Sequence, residues 1–126
     1  MNSQPITDRI PEIEDGESLS VFDDPSLTQQ VSRTERDGFD TLVGYYRCQF
    51  ESGQQRAVLH AVIQPAMNQV PEVETIVVVG DNVRVRLTDI KVYGVRAEMV
   101  LSRPASSPMS VLVEVIATSP LTVGSQ

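Results

Sequence analysis

The sequence predicts an all-β protein: an antiparallel β-sandwich of about six strands with an acidic, largely extended N-terminal arm. Three observations predict it. Beyond Phe39, apolar and polar residues alternate almost to the end of the chain, as in strands with one face in a core and one in water. Clusters of Gly, Pro, Asn and Asp break the alternation at intervals of about 8–12 residues, the rhythm of a sandwich or small barrel. Valine is abundant after position 70, and its branched side chain suits a pleated surface. The expected organisation is an arm over residues 1–38, a sandwich over 39–119 and a polar tail over 120–126.

The elements follow in order. Residues 1 to about 23 mix Pro, Ser, Asp, Glu and scattered Ile, a composition that disfavours independent folding. Asp24 and Pro25 then read as the N-cap and first position of a short helix over 25–36, with Gly38 as its stop. The first strand runs over 42–50, broken at Gly44, with Tyr46, Cys48 and Phe50 on one face. Ser52-Gly53 turns the chain into a second strand. There Ala57, Leu59, Ala61 and Ile63 alternate with Val58, His60 and Val62.

Pro65 and Pro71 bracket a loop. The strand over 73–79 is apolar on both faces, which fits a central, doubly covered position or an edge buried against another subunit. Gly80-Asp81-Asn82 makes a turn. Val83, Val85 and Leu87 oppose Arg84, Arg86 and Thr88. Asp89 to Tyr93 connects to Val95, Ala97, Met99 and Leu101, and the last strand carries Val111, Val113 and Val115. An antiparallel meander sets Arg84 against Glu98, Leu87 against Val95, and Arg96 against Glu114, so that opposite charges meet across strands. A one-residue slip would put arginines into the core.

Composition then limits function. The net charge is −7, but residues 1–37 hold nine acids against three bases, and residues 38–126 hold eight against seven. The acidity belongs to the arm. No basic excess points to nucleic acid, and no apolar run is long enough for a membrane span. Lone Cys48 cannot form an internal disulfide. No secretory signal is evident, so the expected setting is cytoplasmic.

His60 is the one candidate general base. Its functional reading is a proton acceptor beside a loop-borne acid; its ordinary reading is a packed or surface histidine. Cys48 as a nucleophile would need His60 close by, but it alternates with Tyr46 and Phe50 as a core residue does. One His and one Cys do not make a zinc site. The acids Glu12, Glu14, Asp15 and Glu17 lack calcium-loop spacing. No cofactor, metal or catalytic residue is assigned. Arg84, Arg86 and Arg96 form a basic patch on one sheet face, with Arg47 and Arg56 as further members. With His60 they form the candidate partner-binding set, and the arm itself is one acidic partner within the chain. Their ordinary reading is local pairing with Glu98 and Glu114.

The stretch Phe50-Glu51-Ser52-Gly53-Gln54-Gln55-Arg56-Ala57-Val58-Leu59-His60, with Pro65, Val70-Pro71-Glu72-Val73-Glu74 and Tyr93-Gly94-Val95-Arg96-Ala97-Glu98, resembles small uncharacterised bacterial proteins expected to be β-rich. That resemblance implies no activity. Pro71-Glu72-Val73, Tyr93-Gly94-Val95 and Val115-Ile116-Ala117 are similar in order to strands of the H-type lectins. Those are six-stranded sandwiches that trimerise and bind sugars at subunit contacts. The likeness implies an oligomer with a carbohydrate ligand. The chain lacks the aromatics that family carries in its last two strands, a Trp near the end among them.

The leading expectation is a non-catalytic interaction or assembly module, a homo-oligomer or a protein's partner. The alternatives are a small-ligand or carbohydrate-binding sandwich and an enzyme using His60 and Cys48.

Overall fold

The computed structural model describes Phe22, Asp24 and residues 26–121. The first 21 residues of the arm and the tail beyond Leu121 lie outside the described residues. Among the described residues, seven antiparallel strands form two sheets: β1 (Gln29–Arg36), β2 (Phe39–Phe50), β3 (Arg56–Val62), β4 (Glu72–Val79), β5 (Val83–Lys91), β6 (Gly94–Leu101) and β7 (Met109–Pro120). One sheet has the order β1-β2-β7-β4 and the other β3-β6-β5. Among the described residues there is no helix, and so none long and apolar enough to cross a membrane.

The core lies between the sheets and follows from the alternation. Leu42, Tyr46 and Phe50 of β2 and Val111, Val113, Val115 and Ala117 of β7 point inward from one sheet. Leu59 and Ala61 of β3 and Val95, Ala97, Met99 and Leu101 of β6 meet them from the other. Each large side chain buried this way contributes about 1.5–3 kcal/mol. With few aromatics available, aliphatic side chains fill the space between the sheets.

Several expectations are corrected. Residues 29–36 form a strand, not part of a helix over 25–36. The cause is Asp37-Gly38: both residues have positive φ, 55° and 84°, the two-residue turn that matches the twist of a hairpin. Arg36 therefore pairs with Phe39, and the ladder runs back to Gln29 opposite Tyr46. Asp24 therefore caps no helix. Its Oδ1 accepts from the Ser26 amide at 2.9 Å and the Ser26 hydroxyl at 2.7 Å, and the Leu27 amide donates to its carbonyl.

Nor is the fold a meander. β2 and β3, joined through Ser52-Gly53, belong to different sheets. Their connection is held by the β6–β7 loop: the Gly53 amide donates to Ala105 O, the Ala105 amide to Gln54 O and the Leu101 amide to Gln55 O. Those bonds turn β3 towards β6. Because β6 and β7 also lie in different sheets, Arg96 does not face Glu114. β5 and β6 do pair, two residues out of the expected register, with Arg86 opposite Glu98 and Leu87 opposite Ala97. The even shift preserves every face. Among the described residues β4 is an edge strand, paired to β7 alone, not a central one.

Candidate functional site

The four arginine and histidine positions singled out in the sequence come together on one surface, the outer face of β3-β6-β5. Alternation sends the inward residues of these strands to the core and leaves the others exposed. Register then places His60 of β3 beside Arg96 of β6, and Arg96 beside Asp89 of β5. In the next rows Glu98 stands between Val58 and Arg86, and Val100 between Arg56 and Arg84.

Glu98 is the hub. Arg86 Nη2 donates to its Oε1 at 2.7 Å, and Arg56 Nη1 lies 3.3 Å from its Oε2. The hydrogen bond from Arg86, with the charge of both arginines, holds the Glu98 carboxyl below its ordinary value. Lys91 Nζ sits 3.2 Å from Asp89 Oδ1. Arg84 and Arg96 have no ion pair among the described residues.

Arg56 joins this surface as the sequence suggested, but Arg47 does not. Arg47 lies on β2 in the other sheet, where its Nε donates to Leu27 O at 3.2 Å. Lys91 is a member that sequence reasoning missed. β5 has a bulge between Leu87 and Asp89, and it reverses the parity, so Asp89 and Lys91 face out and Ile90 packs on the core. The signal was present: inward apolar residues at 83, 85 and 87 are followed by one at 90, a step of three. The freed ladder position is covered by Thr88, whose hydroxyl donates to Arg96 O at 3.1 Å.

His60 and Cys48 are not brought together. His60 is exposed on this outer face, whereas Cys48 points inward from β2 and packs against the core. Burial pushes the Cys48 thiol up, away from the thiolate that a nucleophile needs. Among the described residues no three His, Cys, Asp or Glu side chains gather to hold a metal ion.

A second surface is apolar. β4 has the sequence EVETIVVV. Its last residues leave Ile76, Val78 and Val79 exposed at 42%, 39% and 53%, along an edge with no strand beside it among the described residues. Across the sheet Ile76 borders Glu114 of β7, whose Oε2 accepts from the Tyr45 hydroxyl at 3.1 Å. The arm arrives on this face: the Phe22 ring meets Tyr45 edge-on, with centroids 4.8 Å apart. Comparison of the chain with protein-family models, with curated proteins and with solved structures gives no match.

Proposed function

We propose that this chain is a non-catalytic assembly module that pairs with a second copy of itself along β4. The edge of β4 carries the reading. Exposed edges invite pairing, and proteins guard them with charge, proline or short length. The other three edge strands are guarded: β1 by Arg33, Glu35 and Arg36, β3 by Arg56 and His60, and β5 by Arg84, Arg86, Asp89 and Lys91. β4 carries Glu72 and Glu74 in its first half and a bulge between Val77 and Val79, but it has no basic residue and no proline and ends in four consecutive apolar residues.

Self-pairing also satisfies the charges. An antiparallel pair centred on Ile76 sets Glu74 against Val78 of the second copy, and no glutamate opposes another. The two four-stranded sheets would continue as one, with the apolar rows of Ile76 and Val78 joined across a twofold axis.

Light scattering across a concentration series tests this. The wild-type chain should give a dimer or a larger even assembly, and Ile76→Lys a monomer with unchanged circular dichroism. A wild-type chain that stays monomeric at its highest soluble concentration would dispose of the proposal.

A further inference from the structure

Between positions 38 and 126 the chain has seven basic residues, and five of them lie on the outer face of β3-β6-β5: Arg56, Arg84, Arg86, Lys91 and Arg96. Only Glu98 and Asp89 oppose them there. The face therefore keeps an excess of three positive charges in a chain of net charge −7. The balancing charge is in the same chain: residues 8–17 hold Asp8, Glu12, Glu14, Asp15 and Glu17 against Arg9 alone. We infer that this face is the docking site for the chain's own acidic segment, residues 8–17. This contact is independent of β4.

The shape of the face suits an extended segment. Two depressions lie along it. One, of about 310 Å³, is bounded by Arg56, Arg84, Arg86 and Glu98, and the other, of about 290 Å³, by His60, Lys91, Tyr93 and Arg96. From the Val100 row to the Gly94 row β6 runs roughly 20 Å, and an extended stretch the length of residues 12–17 covers a similar distance. Exposed Val58, Val62 and Tyr93 stand among the cations, as Ile10 and Ile13 stand among the carboxylates. A charged and apolar strip thus meets a strip of the same composition with the opposite sign. Arg84 and Arg96, the two arginines without an ion pair among the described residues, supply the unspent donors for carboxylate oxygens.

Reach is sufficient. Phe22 fixes the end of the arm on the opposite face, against Tyr45 of β2, one strand in from the β1 edge. The two sheets are separated by roughly 10 Å. Residues 8–17 begin five residues and end fourteen residues before Phe22, a span of about 17–48 Å when extended. That is enough to round the β1–β3 side of the same molecule or to cross to a neighbouring one.

The test uses Lys91, the only lysine in the chain. A zero-length carbodiimide joins a lysine to a carboxylate in contact with it. Treatment of the full-length wild-type chain, followed by peptide mass mapping, should join Lys91 to Glu12, Glu14, Asp15 or Glu17. The Lys91–Asp89 pair serves as the internal control. In Arg84→Gln/Arg96→Gln the yield of arm links should fall about fivefold, the scale of two surface ion pairs, with Lys91–Asp89 coupling unchanged. High salt should reduce the arm links in the same way. Links within a single chain or between two chains both support the inference, and they say which copy supplies the arm. Lys91 coupled only to carboxylates of residues 38–126, or arm links indifferent to the arginine substitutions, would overturn it.

Discussion

Arg33 and Asp40 sit diagonally across the β1–β2 hairpin, with Asp40 buried and Arg33 partly exposed at 21%. The guanidinium grips the carboxylate with two bonds, Nε to Oδ1 at 2.9 Å and Nη2 to Oδ2 at 2.7 Å. Its remaining nitrogen, Nη1, donates to Pro65 O, so one side chain ties the β1–β2 hairpin to the loop between β3 and β4. Asp40→Asn leaves the arginine with half a partner and should cost about 1.5–3 kcal/mol, the scale of hydrogen bonds to a charged group, read as a lower urea midpoint with unchanged slope. The arginine's hydrogen bonds hold the Asp40 carboxyl below its ordinary value. A carboxyl lowered by folding stabilises the protein fully above its unfolded pKa, and that contribution is lost as pH falls through the carboxylate range. Between about pH 5 and pH 2 the wild-type midpoint should therefore fall faster than that of Asp40→Asn. Parallel pH profiles would contradict this role for the pair.

Tyr46 is a second residue with a clear expectation. Its ring folds back along β2 over Gly44, where an added Cβ would lie 2.5 Å from the hydroxyl oxygen. The glycine that looks like an interruption in the sequence is thus the space the ring occupies. The hydroxyl is buried and has no hydrogen-bond partner among the described residues. Removing it relieves an unmet desolvation cost, so Tyr46→Phe should raise stability by about 1 kcal/mol. Gly44→Ala should lower it by about 2 kcal/mol through overpacking. In Gly44→Ala/Tyr46→Phe most of the loss should persist, because ring carbons Cε1 and Cζ, 2.5 and 2.7 Å from the added Cβ, remain when the oxygen is gone. Thermal unfolding of the three variants checks the set.

At the scale of elements, period-two alternation made β2 to β7 legible, because burial on one face leaves its mark in every second residue. β1 was not legible in this way. Gln29, Ser32 and Thr34 give no alternation, and the strand exists because the Asp37-Gly38 turn lays it against β2. Asp37-Gly38 suits a hairpin turn, but Gly38 equally suits a helix stop, and the local pattern does not choose between them. Gly38 has φ +84° and open space where a Cβ would stand. Gly38→Ala should therefore cost about 1–2 kcal/mol from backbone strain alone, enough to lower the melting temperature by roughly 4–16 °C. A variant as stable as wild type would mean that the turn does not fix β1.

The whole molecule shows where sequence reading ends. Alternation says which residues face oil, but not which strand lies beside which, because that is decided by loops and long-range packing. The contacts of the β2–β3 loop with residues 101–105 sent β3 to the other sheet, and no local pattern in Ser52-Gly53 announces them. The candidate surface survived this error. Its arginines and His60 lie on β3, β5 and β6, which share a sheet, and the register error between β5 and β6 was even. Lys91 was hidden by the bulge, and the β4 edge was visible only as one of two explanations for a doubly apolar strand. In the folded molecule five basic residues gather on one outer face and the apolar end of the β4 edge lies in the opposite sheet. The two proposed contacts therefore fall on different sheets.

Amide hydrogen exchange at β4, followed against protein concentration, tests the assembly claim most directly. Self-pairing along this edge predicts that the amides of residues 74–79 facing away from β7 become protected as concentration rises, and that Ile76→Lys abolishes the protection without altering exchange in β6 and β7. Rapid exchange of those outward amides at every concentration, in a chain that stays folded, would contradict it.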